Sequence, residues 1–319
     1  MRAFLTGATG FVGSHVAEAL LARGDTVVCL ARQPGQAVAL AARGAEVVGG
    51  TLDATASLER VIAGVDVVYH VAGLVAGSEA EYFDINEAGT RRLAESVRLA
   101  APGSRFVYIS SQAAVGPGRL LDEDAPCRPV SPYGRSKLAG EVVVRESGLA
   151  WTIVRPPSVY GPRDRAFLTV FKLAAKGIAP VFGRGRQELS LIFVPDLAEV
   201  IVRAGTHPAA SGRVYHVAHS ETVTAGQLAL EVGRAVGRKP LVIPVPRLAV
   251  GALLILAGAL RALVRRRSVV NLGKLDEFFA SAWTFDVGRA ERELGWRAAH
   301  GLGAGARETA AWYRAEGWL

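Results

Sequence analysis

The sequence predicts an α/β protein built on a doubly wound parallel sheet, with a smaller C-terminal lobe. Three observations predict it. Short apolar strands alternate with helical stretches through the first half, a pattern that calls for a parallel sheet covered by helices on both faces. Gly7, Gly10 and Gly13 join the first strand to the first helix. After about Tyr160 the alternation loosens, as a second, less regular lobe would require.

The elements follow in chain order. Ala3–Leu5 is an apolar strand that feeds the glycines, and residues 14–23 carry helical spacing through Val16 and Leu21. Thr26–Leu30 is the next strand, Ala37–Arg43 a short helix and Glu46–Val48 a strand. Ser57–Ala63 is helical and Val65–His70 a buried strand. Glu87–Ala100 is helical, Arg105–Ser110 a strand, Tyr133–Glu146 a helix and Trp151–Arg155 a strand. Beyond Tyr160, helices are expected at Phe167–Lys176, Asp196–Ala204 and Ala225–Val236, and strands at Ser190–Val194 and Arg213–Ala218. Gly183–Arg186 reads as a loop, and the tail holds helical pieces at 286–294 and 304–315. Residues 1–160 thus read as one domain. Residues 161–319 read mostly as the smaller lobe, with elements near 190–220 returning to the main sheet.

The first turn carries the strongest chemical signal. Thr6-Gly7-Ala8-Thr9-Gly10-Phe11-Val12-Gly13 lies between a strand and a helix at the start of the chain. Glycines there allow a tight turn and bring backbone N–H groups up to a pyrophosphate, whose charge rests on a helix N-terminus. The first domain is therefore expected to be of Rossmann type and to bind a dinucleotide.

Composition narrows the class. The chain has 319 residues, half of them hydrophobic, and a net charge of +8. A large core is available and disorder is not expected. Cys29 and Cys127 fit no metal spacing and no disulfide framework, which suits a reducing compartment. Met1-Arg2 leads directly into the first strand, so no signal peptide and a cytoplasmic location are expected. The arginines are dispersed and not interleaved with aromatics, so no nucleic-acid partner is expected. His15 and His70 read as structural, and no metal site is expected. Asp122-Glu123-Asp124 reads as a solvated loop.

Tyr133-Gly134-Arg135-Ser136-Lys137 places a phenol and an ammonium one helical turn apart, on one face. A nearby cation favours the phenolate, so Tyr133 is expected to titrate below the usual value of about 10. Ser110 and Ser111 close the strand before it. In an open parallel sheet, ligands bind at the carboxyl ends of the strands, where a hydroxyl can hold a substrate oxygen.

These residues resemble the extended short-chain dehydrogenase/reductase family, the NAD-dependent epimerase/dehydratase superfamily. The pattern is nearest its 3β-hydroxysteroid dehydrogenase and dihydroflavonol reductase-like branch. The resemblance runs through TGATGFVG at 6–13, HVAG at 70–73, NEAGT at 86–90, YISSQAAVG at 108–116, SPYGRSK at 131–137, RPPSVYGPRD at 155–164 and FVPDLA at 193–198. It implies a catalytic set of Ser111, Tyr133 and Lys137, with Tyr133 relaying a proton while hydride moves between a nicotinamide and a carbinol or carbonyl carbon. It implies a phosphate loop of Gly7, Thr9, Gly10, Phe11, Val12 and Gly13. Val71, Ala72 and Gly73 would lie beside the adenosine and ribose. Pro156 and Val159 would lie along the nicotinamide, with Ser110, Tyr133 and Lys137 also against the cofactor. It further implies a homodimer through helices 87–100 and 134–146.

Three departures shape the expectation. Thr51, followed by Leu52, stands where the family has an aspartate on the adenine, so the hydroxyl or Asp53 would take that contact. The second strand ends in Ala31-Arg32-Gln33 with no acid for a ribose 2′-hydroxyl. Arg32 suits a 2′-phosphate instead, so NADP is expected over NAD. Leu189 replaces an arginine that binds diphosphate in nucleotide-sugar enzymes, and Phe193 replaces a histidine. An NADP-preferring oxidoreductase of a hydrophobic hydroxyl or keto compound is thus expected. Two alternatives stand: a nucleotide-sugar epimerase or dehydratase, for which Arg163, Arg165, Arg184 and Arg186 could bind the anion, and a non-catalytic sensor.

One run resists assignment. Leu248–Leu260 has no charge, and Arg265-Arg266-Arg267 follow shortly after. As a helix it spans about 20 Å, short of a bilayer core of about 30 Å. Residues 248–267 suit an interfacial helix with a basic end, peripheral to a membrane, or a lid over a lipid-like substrate, or packing against the lobe's own core.

Overall fold

The computed structural model describes residues 1–252 and 273–319. Five strands precede the first catalytic candidate: β1 (Arg2–Thr6), β2 (Thr26–Ala31), β3 (Glu46–Gly49), β4 (Val67–His70) and β5 (Arg105–Ile109). After them come β6 (Gly118–Leu121), β7 (Ala150–Arg155), β8 (Ser158–Tyr160), β9 (Ile178–Phe182), β10 (Glu188–Leu189), β11 (Leu191–Phe193) and β12 (Arg213–His216). The last are β13 (Val223–Thr224), β14 (Leu241–Val245) and β15 (Ala282–Phe285).

Seven strands form one parallel sheet in the order β12-β7-β5-β4-β1-β2-β3. The order reverses direction beside β1, between it and β4, so a crevice opens at the carboxyl ends of those two strands. The strands read as unbroken apolar runs because both faces are covered. On one face α1 (Phe11–Ala22) and the later helix Val194–Thr206 pack through Val16, Leu20, Leu197 and Ile201 onto Leu5 and Tyr69. On the other, Leu58, Leu93, Val97 and Val144 pack onto Phe4 and Phe106.

In chain order after α1 the helices are α2 (Val38–Ala41), α3 (Thr55–Ile62), α4 (Glu79–Phe83), α5 (Gly89–Ala100), α6 (Gln112–Val115), α7 (Pro132–Glu146) and α8 (Leu168–Ala175). Then come α9 (Val194–Thr206), α10 (Ala225–Ala235), α11 (Gly273–Phe279), α12 (Gly288–Leu294) and α13 (Leu302–Ala315). α8, α10 and α13 share a separate cluster around Phe171, Val232, Ala306 and Tyr313. The Tyr313 hydroxyl donates to the Asp164 carbonyl at 2.5 Å, tying the C-terminal helix to the loop after β8.

The structure differs from the sequence expectation in four places. α1 begins at Phe11, not residue 14, because Gly10 supplies the extended N-cap. The expected helix at 87–100 is the end of a longer helical run that starts at Glu79 behind a Ser78/Glu81 capping box. It passes through a π-turn at Asp84–Ala88 before α5. Several short strands of the second half form small sheets of their own: β9 pairs with β14, and β13-β10-β15-β6 make a four-stranded sheet. Glu123 is not solvated: its side chain is 3% exposed, held by Arg289 and by the His216 N–H at 2.9 Å. Most of Leu248–Leu260, and all of Arg265-Arg266-Arg267, lie outside the described residues. Among the described residues no helix is long and apolar enough to cross a membrane.

Candidate active site

The crevice is built first by the turn after β1. The Gly10 N–H closes the turn on the Gly7 carbonyl at 2.9 Å. Gly7 has φ +77°, and a Cβ there would meet Ala72 N at 2.7 Å. A Cβ on Gly13 would lie 2.0 Å from the Gly7 carbonyl oxygen. Backbone packed this closely leaves room only for glycine. α1 has no side-chain cap and no acid in its first turn. The N–H groups of Phe11, Val12 and Gly13 have no acceptor among the described residues. An exposed helix start with free donors and no carboxylate fits a pyrophosphate. Gly13→Ala is expected to weaken dinucleotide binding at least tenfold and to cost about 2 kcal/mol or more of stability through overpacking. Nucleotide titration and thermal melting check it, and unchanged binding would remove the phosphate loop from this turn.

Beside the loop, His70 bridges Thr6 Oγ1 at 2.8 Å and Thr90 Oγ1 at 3.0 Å. Burial, and after it the Lys137 charge, lower its pKa to about 3, so the imidazole is a neutral pin. Thr6 Oγ1 in turn accepts from Ala72 N at 3.2 Å, which fixes Val71, Ala72 and Gly73 along the crevice. Asn86 holds the next stretch: its Oδ1 accepts from Leu74 N at 2.8 Å and its Nδ2 donates to Ser136 Oγ at 2.9 Å. It connects the β4 loop to α7, next to Lys137.

α7 starts with Ser131 as N-cap and Pro132 in its first turn, so Tyr133 enters at the start of the helix. A Cβ on Gly134 would come within 2.2 Å of the Ala113 carbonyl oxygen. That close approach lets the helix meet the turn that carries Ser111. Ser111 Oγ caps α6 by accepting from Ala113 N at 3.1 Å, and it shares the cavity wall with Tyr133. The Tyr133 ring stacks at a tilt 5.8 Å from Tyr82. Lys137 is buried; its Nζ donates to the Ile109 carbonyl at 2.6 Å and lies 4.3 Å from the Tyr108 ring centroid.

The electrostatics of the protein alone run against the expected phenolate. Burial pushes Tyr133 up to about 12, and the Ser111 hydroxyl only partly opposes it. Burial pulls Lys137 down to about 7, with Glu141 working the other way. The ammonium is directed at a carbonyl and a ring face rather than at the phenol, so desolvation decides both values.

Beneath these residues lies a buried charge network. Glu141 accepts two hydrogen bonds from Arg155, from Nε at 2.8 Å and from Nη2 at 2.6 Å, and one from Ser110 Oγ at 2.5 Å. Ser110 thus turns its hydroxyl inward onto Glu141, and Ser111 is the serine that lines the cavity with Tyr133. Arg155 also reaches His216 Nε2 at 3.3 Å and Cys127 Sγ at 3.3 Å. Glu141 belongs to no motif of the sequence. The signal was its spacing: Tyr133, Lys137 and Glu141 recur every fourth residue on one helical face.

Where the sequence leads one to expect the adenosine, Arg32 is exposed just past β2 and has no partner among the described residues. Thr51 Oγ1 accepts from Asp53 N at 3.4 Å. The Asp53 carboxylate is paired with Arg92 at 2.9 Å, which leaves the Thr51 hydroxyl the freer of the two for an adenine. Leu52 packs into the core beside Gly89. Pro156 is buried, its carbonyl accepting from Gln112 N at 2.8 Å, and Val159 packs against the core.

A cavity of about 470 Å³ opens from Ser111 and Tyr133 toward the second lobe. Phe167, Val170, Leu173, Val181, Leu228 and Trp283 form much of its wall, with Leu189 among them. No arginine or lysine lines it among the described residues. Of the arginines that could hold an anion, Arg163 pairs with Glu18 at 2.7 Å and donates to Ser14 Oγ, and Arg165 lies over the Trp318 ring. Arg184 and Arg186 are exposed outside the cavity. Phe193 is core, packed on Tyr160.

The chain is similar to known proteins along its whole length. A model of the NAD dependent epimerase/dehydratase family matches residues 3–218. A ceramide reductase of Caulobacter vibrioides is 33% identical over 99% of this chain and 95% of its own. A UDP-glucose 4-epimerase of Vibrio cholerae is 31% identical over 76% of this chain and 78% of its own. The solved structure of a dTDP-glucose 4,6-dehydratase from Streptomyces venezuelae with NAD bound superimposes with a TM-score of 0.80 at 24% identity, covering 100% of this chain and 99% of that one.

Proposed function

The chain belongs to the NAD-dependent epimerase/dehydratase family and is an oxidoreductase of that family, and from that premise we propose that it reduces the carbonyl group of an apolar, lipid-like ketone. The observation that carries the reading is the cavity wall: apolar side chains surround the space before Tyr133, and no cationic side chain lines it among the described residues. A nucleotide-sugar diphosphate carries two negative charges that such a wall would leave unpaired. The ceramide reductase among the relatives acts, by its name, on a lipid, which favours the same reading.

A reduced nicotinamide, when bound, supplies the hydride and its two electrons to the carbonyl carbon. The protein supplies the rest. Tyr133, protonated at neutral pH, gives its proton to the carbonyl oxygen as that oxygen gains charge. Ser111 hydrogen-bonds the same oxygen and holds it next to the phenol. Lys137 does not face the phenol; it lies one turn along the same helical face, where burial leaves it titrating at about 7, and its ammonium, when present, is the nearby charge that favours the phenolate left behind. The apolar wall keeps water from the reacting carbon. The free N–H groups of Phe11, Val12 and Gly13 hold the cofactor's phosphates. Exposed Arg32, unpaired among the described residues, favours a 2′-phosphate and hence NADP.

The test is an assay of the purified protein with NADPH and NADH on long-chain ketones, and with UDP-glucose and dTDP-glucose. Net oxidation of NADPH with a ketone is expected, and Arg32→Ala is expected to lose the NADPH preference about tenfold while leaving NADH unchanged. Conversion of a nucleotide sugar without net cofactor consumption would overturn the reductase reading.

A further inference from the structure

The small sheet of β9 and β14 has two unlike faces, since successive side chains of a strand point to opposite sides. Ala179, Val181 and Val242 point inward and pack with Ala229 of α10. On the other face the parallel register sets Leu241 beside Ile178 and Ile243 beside Pro180. Ile178 and Phe182 are each 37% exposed there, Ile243 is 39% exposed and Leu241 68%. A row of large apolar side chains open to solvent marks a surface that meets something apolar. The row continues past the sheet. The Phe182 ring stacks on Phe278 at 4.6 Å, and both residues line the cavity in front of Tyr133. The exposed apolar surface thus runs into the cavity wall.

The ends of the two strands are basic. Lys176 precedes β9, Arg184 and Arg186 follow it, and Arg238 and Lys239 precede β14. All five are exposed and make no ion pair among the described residues. Arg247, after β14, is paired with Asp276 at 2.7 Å. Residues 176–186 and 238–248 contain no aspartate or glutamate. Apolar side chains framed by free cations match a bilayer with negative headgroups: the apolar groups enter the headgroup–acyl boundary, and the cations meet the lipid phosphates. A second copy of this chain would bring the same cations face to face, and their repulsion opposes it.

We propose that the β9–β14 face docks the protein on an anionic membrane surface, so that a lipid-like ketone passes from the bilayer into the cavity along the Phe182 and Phe278 wall. The docking rests on the exposed face itself. The passage of a ketone rests on the reductase reading and deepens it.

The experiment measures co-sedimentation of the purified full chain with vesicles of phosphatidylcholine alone and of equimolar phosphatidylcholine and phosphatidylglycerol. No ketone is present, so the result does not depend on the reaction. Wild type is expected to bind the mixed vesicles about tenfold or more tightly than the neutral ones, and to be released as salt is raised. Leu241→Ser with Ile243→Ser changes no charge and is expected to weaken binding to the mixed vesicles about tenfold or more. Arg238→Ser with Lys239→Ser is expected to weaken it about tenfold through lost charge. Arg91→Ser with Arg98→Ser removes the same charge from α5, on the main sheet, and is expected to stay within about twofold of wild type. A second arm supplies NADPH with a long-chain ketone held in the mixed vesicles, or with a short soluble ketone in buffer. Both variants at β14 are expected to lose about tenfold on the embedded ketone and to stay within about twofold on the soluble one. Failure of wild type to bind the mixed vesicles, or an equal loss in the α5 pair, would overturn the docking face and leave the reductase reading standing. A dimer that the Leu241 and Ile243 replacements dissociate, with no vesicle binding, would overturn it in favour of a second copy. Vesicle binding with reduction of neither ketone would remove the reductase reading and the passage, and would support the docking alone. If thermal melting shows the Leu241 and Ile243 pair unfolded, the Arg238 and Lys239 pair decides.

Discussion

Tyr133→Phe is expected to lower ketone reduction by about 10³-fold while the protein stays folded and still binds its cofactor. The size follows from the loss of a positioned proton donor, worth typically 10²–10⁴-fold. The fold should survive because removal of the phenol oxygen leaves the ring packed on Tyr82. The variant also separates chemistry from binding, since no part of the phosphate loop is touched. A pH series sharpens the result. With Tyr133 up at about 12, the phenol stays protonated through the neutral range. Lys137, down at about 7, loses its proton as pH rises through that value. Its ammonium is therefore present below about pH 7 and absent above it, and reduction that relies on that charge should decline on the alkaline side. Steady-state kinetics across pH 5.5 to 9 check both, on a scale of about tenfold per pH unit beyond the inflection. Turnover within about threefold of wild type for Tyr133→Phe would remove the phenol from the proton transfer.

Much of this site could be read from residues close together in the chain. The stretch from Thr6 to Gly13 announces its role because two backbone segments approach closely enough to exclude any Cβ, and only glycine satisfies that. Tyr133 and Lys137 share a helical face by spacing alone. The parts that could not be read are those that depend on partners far along the chain. Glu141 looks like an ordinary helix-surface acid until α7 is laid against β7, where Arg155 waits. Glu123 looks solvated until Arg289 and the β12 backbone close over it. The prolines at 244 and 246 suggest a break, yet β14 runs through Pro244 in a two-stranded sheet with β9 alone, where a missing donor is tolerated on the unpaired side. The titration of Tyr133 escapes the sequence for the same reason: adjacency to a lysine is visible there, but the burial that outweighs it is not.

The largest effect on stability is expected at Glu141. Its side chain has no exposure, and that of Arg155 is 1% exposed. Removing one member of a buried pair leaves the other charge desolvated, which typically costs about 3–5 kcal/mol. Glu141→Ala would strand Arg155, remove the acceptor of Ser110 Oγ and break the line of contacts from the β5 terminus to His216. His216 cannot compensate, because burial and then the Arg155 charge hold its imidazole neutral, down at about 3. Nor can Cys127, a weak acceptor at 3.3 Å. Glu141→Gln is expected to cost less, since one amide oxygen still accepts from the guanidinium. Joint replacement, Glu141→Leu with Arg155→Met, should recover most of the lost stability, as apolar substitutes for buried ion pairs commonly do. Activity should not recover in parallel, because Ser110 then has no partner to hold the turn that presents Ser111 to Tyr133. Urea unfolding of the three variants, with ketone reduction measured on each, separates the two effects. A loss under about 1 kcal/mol for Glu141→Ala would show that the network beneath the site carries no weight, and recovery of activity in the double variant would show that it does not position the serine.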